Sequence, residues 1–178
     1  YRDKVFIATK LPLYKIHSIE DMNSILDSQL KKLRTDCIDY YLLHALSDMG
    51  GWERLKRQGI REFAEKARRE GKIRWFGFSF HGDKEDFKSI LDDYPWDFCQ
   101  IQYNYIDENF QAGREGLEYA ASKRIGVIIM EPLRGGSLVG RMPREIQRIW
   151  DSSEVKRTAA DWALRWLWNQ PEVSVVLS

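Results

Sequence analysis

Two residues with chemistry to offer close two apolar runs. Lys10 ends Phe6-Ile7-Ala8-Thr9-Lys10, and His44 ends Asp39-Tyr40-Tyr41-Leu42-Leu43-His44. An ammonium at the end of a buried strand is costly to desolvate unless something uses or pairs it. It can serve as a Schiff-base nucleophile, or as a cation that lowers the pKa of a neighbouring acid. It can also run its stem along the surface to water. A lone histidine is commonly a structural group. On adjacent parallel strands ~4.8 Å apart, however, an amine and an imidazole can reach one substrate oxygen. The same strand-end position recurs at Ser79, at Gln100 with Asn104, and at Glu131.

Those side chains need elements to hold them. Short apolar runs read as strands over residues 5–9, 37–43, 73–80, 98–103, 127–130 and 173–177. Helical runs alternate with them. Ser18 caps one with Ile19, Met22, Ile25, Leu26, Leu30 and Leu33 at spacings of three and four. Others are expected over 60–70, ended by Gly71, over 83–92, and over 112–123, closed by Gly126. A last helix opens at Ser153, with Val155, Ala159, Trp162, Ala163, Trp166 and Leu167 on one face; its tryptophans read as helix packing.

Strands apolar on both faces, alternating with helices, predict an α/β fold with a parallel sheet covered by helices. An open dinucleotide-binding sheet should carry Gly-x-Gly-x-x-Gly in its first βα turn, and no such run occurs. A closed barrel draws its chemistry from the C-terminal ends of several strands, which is the pattern here. The expectation is a parallel (β/α)8 TIM barrel, incomplete. Such a barrel needs eight strands over ~250 residues, whereas six are visible in 178 residues. The chain then reads as a single partial domain over 1–178, with sequence missing on both sides. The stretch 134–152 is too long for a plain connector and reads as a lid or ligand-binding segment.

Composition excludes several classes. The 28 basic and 27 acidic residues are spread evenly, for a net charge of +1, so nucleic acid is not the expected partner. No run of 18 apolar residues suggests a membrane span. The opening Tyr1-Arg2-Asp3-Lys4 is neither a secretion signal nor a natural start. Cys37 and Cys99 fit buried, reduced thiols in a cytoplasmic protein and lack metal-ligand spacing, so no metal site is expected in this chain.

The ordered set of motifs resembles the aldo-keto reductases. Phe6–Lys10 followed by Tyr40–His44 is similar to that family's third and fourth barrel strands, whose lysine and histidine belong to a catalytic tetrad with an aspartate and a tyrosine. Gly77-Phe78-Ser79 resembles the strand whose serine holds the nicotinamide carboxamide, and Gln100-Ile101-Gln102-Tyr103-Asn104 the strand whose first glutamine does the same. Met130-Glu131-Pro132-Leu133-Arg134-Gly135-Gly136 resembles the segment that lies along the nicotinamide and pyrophosphate.

The resemblance therefore implies Lys10 and His44 as catalytic residues, and Ser79, Gln100, Met130, Glu131, Pro132, Leu133 and Gly135 as cofactor-binding residues. It implies NADP(H) as cofactor, with NAD as the alternative, and a small carbonyl compound as substrate. Hydride would pass from cofactor to carbonyl carbon while the tyrosine protonates the oxygen. The tetrad's aspartate and tyrosine are expected upstream of Tyr1. Tyr14 reads as a surface residue and His81 as a loop residue at the barrel mouth.

Two departures stand out. Phe80-His81-Gly82 follows the serine where the family often has asparagine, and Met130 stands where a ring often stacks on the nicotinamide. Both are similar to a bacterial and archaeal subgroup whose members often carry a C-terminal iron–sulfur extension. Such a cluster, if present, would lie beyond Ser178. Two other functions stay open: a Schiff-base barrel lyase using Lys10, and a cofactor-binding regulatory subunit with slow turnover.

Overall fold

In the computed structural model, which describes residues 2–140 and 142–177, strands and helices alternate along the chain. The order is β1 (Ala8–Pro12), α1 (Ile19–Leu33), β2 (Ile38–Leu46), α2 (Met49–Arg57), α3 (Ile60–Arg69), β3 (Ile73–Phe80), α4 (Lys84–Asp93), β4 (Phe98–Gln102), α5 (Gly113–Ser122), β5 (Gly126–Met130), α6 (Arg144–Ser152), α7 (Ala159–Trp168) and β6 (Val175–Val176). The six strands form one parallel sheet in the order β1-β2-β3-β4-β5-β6. A doubly wound sheet reverses its strand order at a switch point. Strict sequential order is instead that of a (β/α) barrel wall. The structure is the incomplete barrel that the sequence predicts.

Alternation along each strand divides its side chains between two environments. Leu11, Tyr41, Leu43, Phe76, Phe78, Cys99, Ile101, Val127 and Ile129 join the helices in one buried core. The intervening residues face the barrel interior. Low in that interior, Tyr40 lies 4.7 Å from Trp75 and 5.4 Å from Phe98, ring centre to ring centre. Gly77 shares this layer, paired with Leu42 and Phe98. A Cβ there would sit 2.4 Å from the Phe98 carbonyl oxygen and 2.9 Å from its ring. The glycine of the Gly-x-Ser motif is therefore required by the aromatic floor.

Helix starts follow their caps. Ser18 accepts from the Asp21 amide while the Asp21 carboxylate accepts from that of Ser18, a capping box. Asp83 and Thr158 cap α4 and α7 more simply, their side chains accepting amides of the first turn. Gly71, at φ +70°, follows the end of α3 as expected.

Several boundaries differ from the sequence reading. The first strand is Ala8–Pro12, not 5–9, because the Asp39 carboxylate takes the Ile7 amide at 2.8 Å. Val5 and Phe6 are exposed. Lys10 is therefore central in its strand rather than terminal. The last helix starts after Thr158, since Ser153 instead ends α6. The stretch 134–152 is not a bare loop but contains a short 3-10 turn, Ser137–Val139, and the helix α6. The helix α2 lies in a segment the sequence left unassigned. Cys99 is buried as expected, whereas Cys37 is only half-buried; both thiols are free.

Candidate active site

Parallel register sets the site out in rows across the sheet. Lys10 pairs with Leu42, and Leu42 with Gly77. One row nearer the C-terminal ends, Pro12 pairs with His44, Ser79 with Gln100, and Gln100 with Ile128. Gln102 pairs with Met130 in the next row. All these side chains share the interior face. Lys10 and His44 thus stand on one face of adjacent strands, two residues apart in register, a rise of about 6.6 Å. They are diagonal rather than level neighbours, and the four-carbon stem of lysine spans such a step. Lys10 is half-buried and His44 exposed.

His44 owes its position to a bulge. Leu43 pairs with Phe78 and Leu46 with Phe80, so β2 carries an extra residue between them. Ala45 takes the left-handed conformation at φ 61°. The Ser79 hydroxyl accepts from the Ala45 amide at 2.8 Å and donates to the Leu43 carbonyl at 3.3 Å. Ser79 is fully buried and holds this bulge.

His81 is exposed at the same rim, its amide bound to the Leu46 carbonyl at 3.0 Å. Its imidazole is held below the ordinary histidine range, first by partial burial at the rim and then by electrostatic repulsion from His44 and Lys10; Glu131 opposes them. These four groups share one electrostatic environment. Tyr14, 75% exposed, lies on the surface as expected.

On the far side of the row, the Gln100 amide donates to the Met130 thioether at 3.1 Å. Past β5 the chain turns sharply. Glu131, Arg134, Gly135 and Gly136 all have positive φ, at 56°, 50°, 60° and 87°. The Glu131 carboxylate accepts from the Gly135 amide at 2.6 Å. Pro132 is buried and Leu133 half-buried beneath this turn. The sequence reading placed Ser79, Gln100 and Met130 at one rim, and the structure brings them there; it places the Glu131–Gly136 turn directly after.

Sequence reasoning missed Asp107. This buried carboxylate accepts from Gln102 and Asn104 at 3.1 Å each and lies 3.4 Å from the Arg134 guanidinium. The available signal was the Asn104-Tyr-Ile-Asp107 spacing, an Asx-type turn. A separate apolar groove of about 790 Å³, lined by Tyr105, Ile146, Trp150, Trp162 and Trp166, contains none of the predicted site residues. Trp166 packs against Tyr103 with ring centres 5.2 Å apart, as helix packing, whereas Trp168 is exposed. Among the described residues, no cluster of three or more His, Cys, Asp or Glu is placed to hold a metal, and no helix is long and apolar enough to cross a membrane.

The family model described as "Aldo/keto reductase family" matches residues 1–178. The chain belongs to the aldo/keto reductase family. Solved structures agree on the fold. The aldo-keto reductase AKR11C1 from Bacillus halodurans, in its holo form, is 21% identical with a TM-score of 0.78 over 98% of this chain and 62% of its own. The thermostable aldo-keto reductase Tm1743, solved with the inhibitor epalrestat, is 26% identical with a TM-score of 0.77, over 99% and 61%. An aldo/keto reductase from Klebsiella pneumoniae, solved with NADP and acetate, is 24% identical with a TM-score of 0.77, over 99% and 60%. The chain thus spans about three fifths of the length of these relatives. No match was found among curated proteins.

Proposed function

We propose that the protein carrying this aldo/keto reductase chain reduces aldehydes or ketones to alcohols with a nicotinamide dinucleotide, NADP(H) in preference to NAD(H). One observation carries this reading. Lys10, His44, Ser79, Gln100 and Met130 share the interior face of five consecutive strands within three successive rows of the register, next to a glycine turn.

The residues fit such a cofactor. The Gln100 nitrogen donates to a thioether, a weak acceptor that a carboxamide oxygen would displace. The Gly135 amide already takes a carboxylate oxygen, so its environment accepts an anion. Gln100 and Ser79 would hold the nicotinamide amide, Met130 would cover a ring face, and the Glu131–Gly136 turn, with Pro132 and Leu133, would lie along the phosphates. The bound dinucleotide supplies a hydride to the carbonyl carbon.

The chain's own residues manage the oxygen. His44 orients the carbonyl and donates to its oxygen. Lys10, as a cation, lowers the pKa of the acid that protonates this oxygen. In the family pattern that acid is a tyrosine, with an aspartate paired to the lysine. The substrate is a small carbonyl compound, and reduced thiols suit a cytoplasmic setting.

The test is NADPH consumption by the full-length protein against a panel of aldehydes and ketones, with deuterium placed on the transferring carbon of the cofactor. The expected result is stereospecific transfer of deuterium to the carbonyl carbon. Absence of NADPH and NADH consumption, together with a borohydride-trapped substrate adduct on Lys10, would replace the reductase with a lyase.

A further inference from the structure

The left-handed turn after β5 is fastened from β4. Asn104, fully buried, accepts from the amides of Ile106 and Asp107 at 3.0 Å each. Its nitrogen donates to the Asp107 carboxylate at 3.1 Å and to the Glu131 carbonyl at 3.2 Å. The same Asp107 oxygen accepts from Gln102 at 3.1 Å and pairs with the Arg134 guanidinium at 3.4 Å. Asp107 therefore reaches the turn at two points, Glu131 through Asn104 and Arg134 directly. Those are the two non-glycine residues in the turn with positive φ. A left-handed conformation at such residues persists only where the surroundings over-determine it. Glycine at 135 and 136 supplies the freedom to form the turn, but nothing in a glycine selects one conformation.

We propose that Asp107 is a positioning residue for the dinucleotide. It holds the Glu131–Gly136 turn in its binding shape through Asn104 and Arg134, without touching the cofactor itself. This role rests on the reductase reading. A buried carboxylate with two amide donors and a guanidinium is a network whose members depend on one another. Removing the carboxylate leaves the Asn104 and Gln102 nitrogens without their shared acceptor and releases Arg134. The turn then samples other conformations, and binding must reorder it.

The experiment uses the full-length protein and the variants Asp107→Ala and Asp107→Asn. Amide hydrogen exchange is followed across residues 131–138, and NADPH affinity by titration of its fluorescence. In Asp107→Ala, exchange across 131–138 is expected to accelerate about tenfold or more while β3 and α4 stay protected. The dissociation constant for NADPH is expected to rise about tenfold, with kcat at saturating NADPH within about threefold of the parent. Asp107→Asn retains an acceptor oxygen and loses the charge, so it should fall between parent and alanine variant; it also carries the test if the alanine variant does not fold.

Unchanged exchange across 131–138 would overturn the proposal. So would faster exchange with unchanged NADPH affinity, which would make Asp107 structural only. The parent protein is measured first: if it binds neither NADPH nor NADH, the reductase reading fails and this role fails with it. That result is distinct from a parent that binds and variants that bind equally well.

Discussion

The Ser79 hydroxyl accepts the Ala45 amide at 2.8 Å, across the strand pair that carries His44. One small side chain thus satisfies the bulge that aims His44 and stands beside Gln100 on the face assigned to the nicotinamide. Ser79→Ala should lose about 1 kcal/mol of stability, because the bulge amide gives up its acceptor. It should also weaken NADPH binding. Urea denaturation and a fluorescence titration check the two effects separately.

Gly77 is a steric requirement rather than a flexible joint. Its added methyl would meet the Phe98 carbonyl oxygen at 2.4 Å and the Phe98 ring at 2.9 Å. Gly77→Ala should destabilise the fold by about 2–3 kcal/mol. The midpoint of denaturation should fall with little change in its slope.

Gly136 presents the opposite case. No atom lies within 4 Å of its missing Cβ, yet its φ is +87°. Gly136→Ala should cost about 1–2 kcal/mol through backbone strain alone. If the turn relaxes to avoid that strain, dinucleotide affinity falls as well, which the same titration reads.

His44 is expected to act on the carbonyl oxygen and not on the cofactor. His44→Ala should lower kcat about 100-fold while the NADPH dissociation constant stays unchanged. Stopped-flow measurement of a single turnover separates the two.

His81 offers a pH signature. Partial burial at the rim, then His44 and Lys10, hold its pKa below the ordinary value of 6.5. The unfolded chain therefore binds this proton at a higher pH than the folded one. Stability contributed by the neutral imidazole is present above 6.5 and is lost as the pH falls through the folded value. The ring protons of His81, followed by NMR, should titrate below 6.5, and His44→Ala should move that midpoint upward.

Much of the barrel was legible because parallel strands buried on both faces, such as Ile73–Phe80, leave largely apolar runs. The Ser18 cap fixed the start of α1. The errors have local causes. Val5 and Phe6 are apolar yet exposed, so hydrophobicity misplaced β1. The Gly50-Gly51 pair hid α2, and α6 has no buried residue to give it a core-facing pattern. Within the candidate site, period-two alternation was legible, setting Gln100 on the face opposite Cys99. Register was not: the bulge at Ala45 and the one-row offset of Lys10 depend on strand pairing, which no single run encodes. Asp107 escaped because its partners lie on separate elements, with Arg134 beyond β5.

The most direct measurement is a crystal structure of the full-length protein with NADP and a carbonyl-mimicking ligand. The nicotinamide amide is expected on Gln100 and Ser79, with a ring face against Met130, the ligand oxygen within reach of His44, Lys10 behind it and the reacting carbon about 3.5 Å from the cofactor. A dinucleotide bound elsewhere, or a ligand oxygen turned away from both Lys10 and His44, would contradict this arrangement.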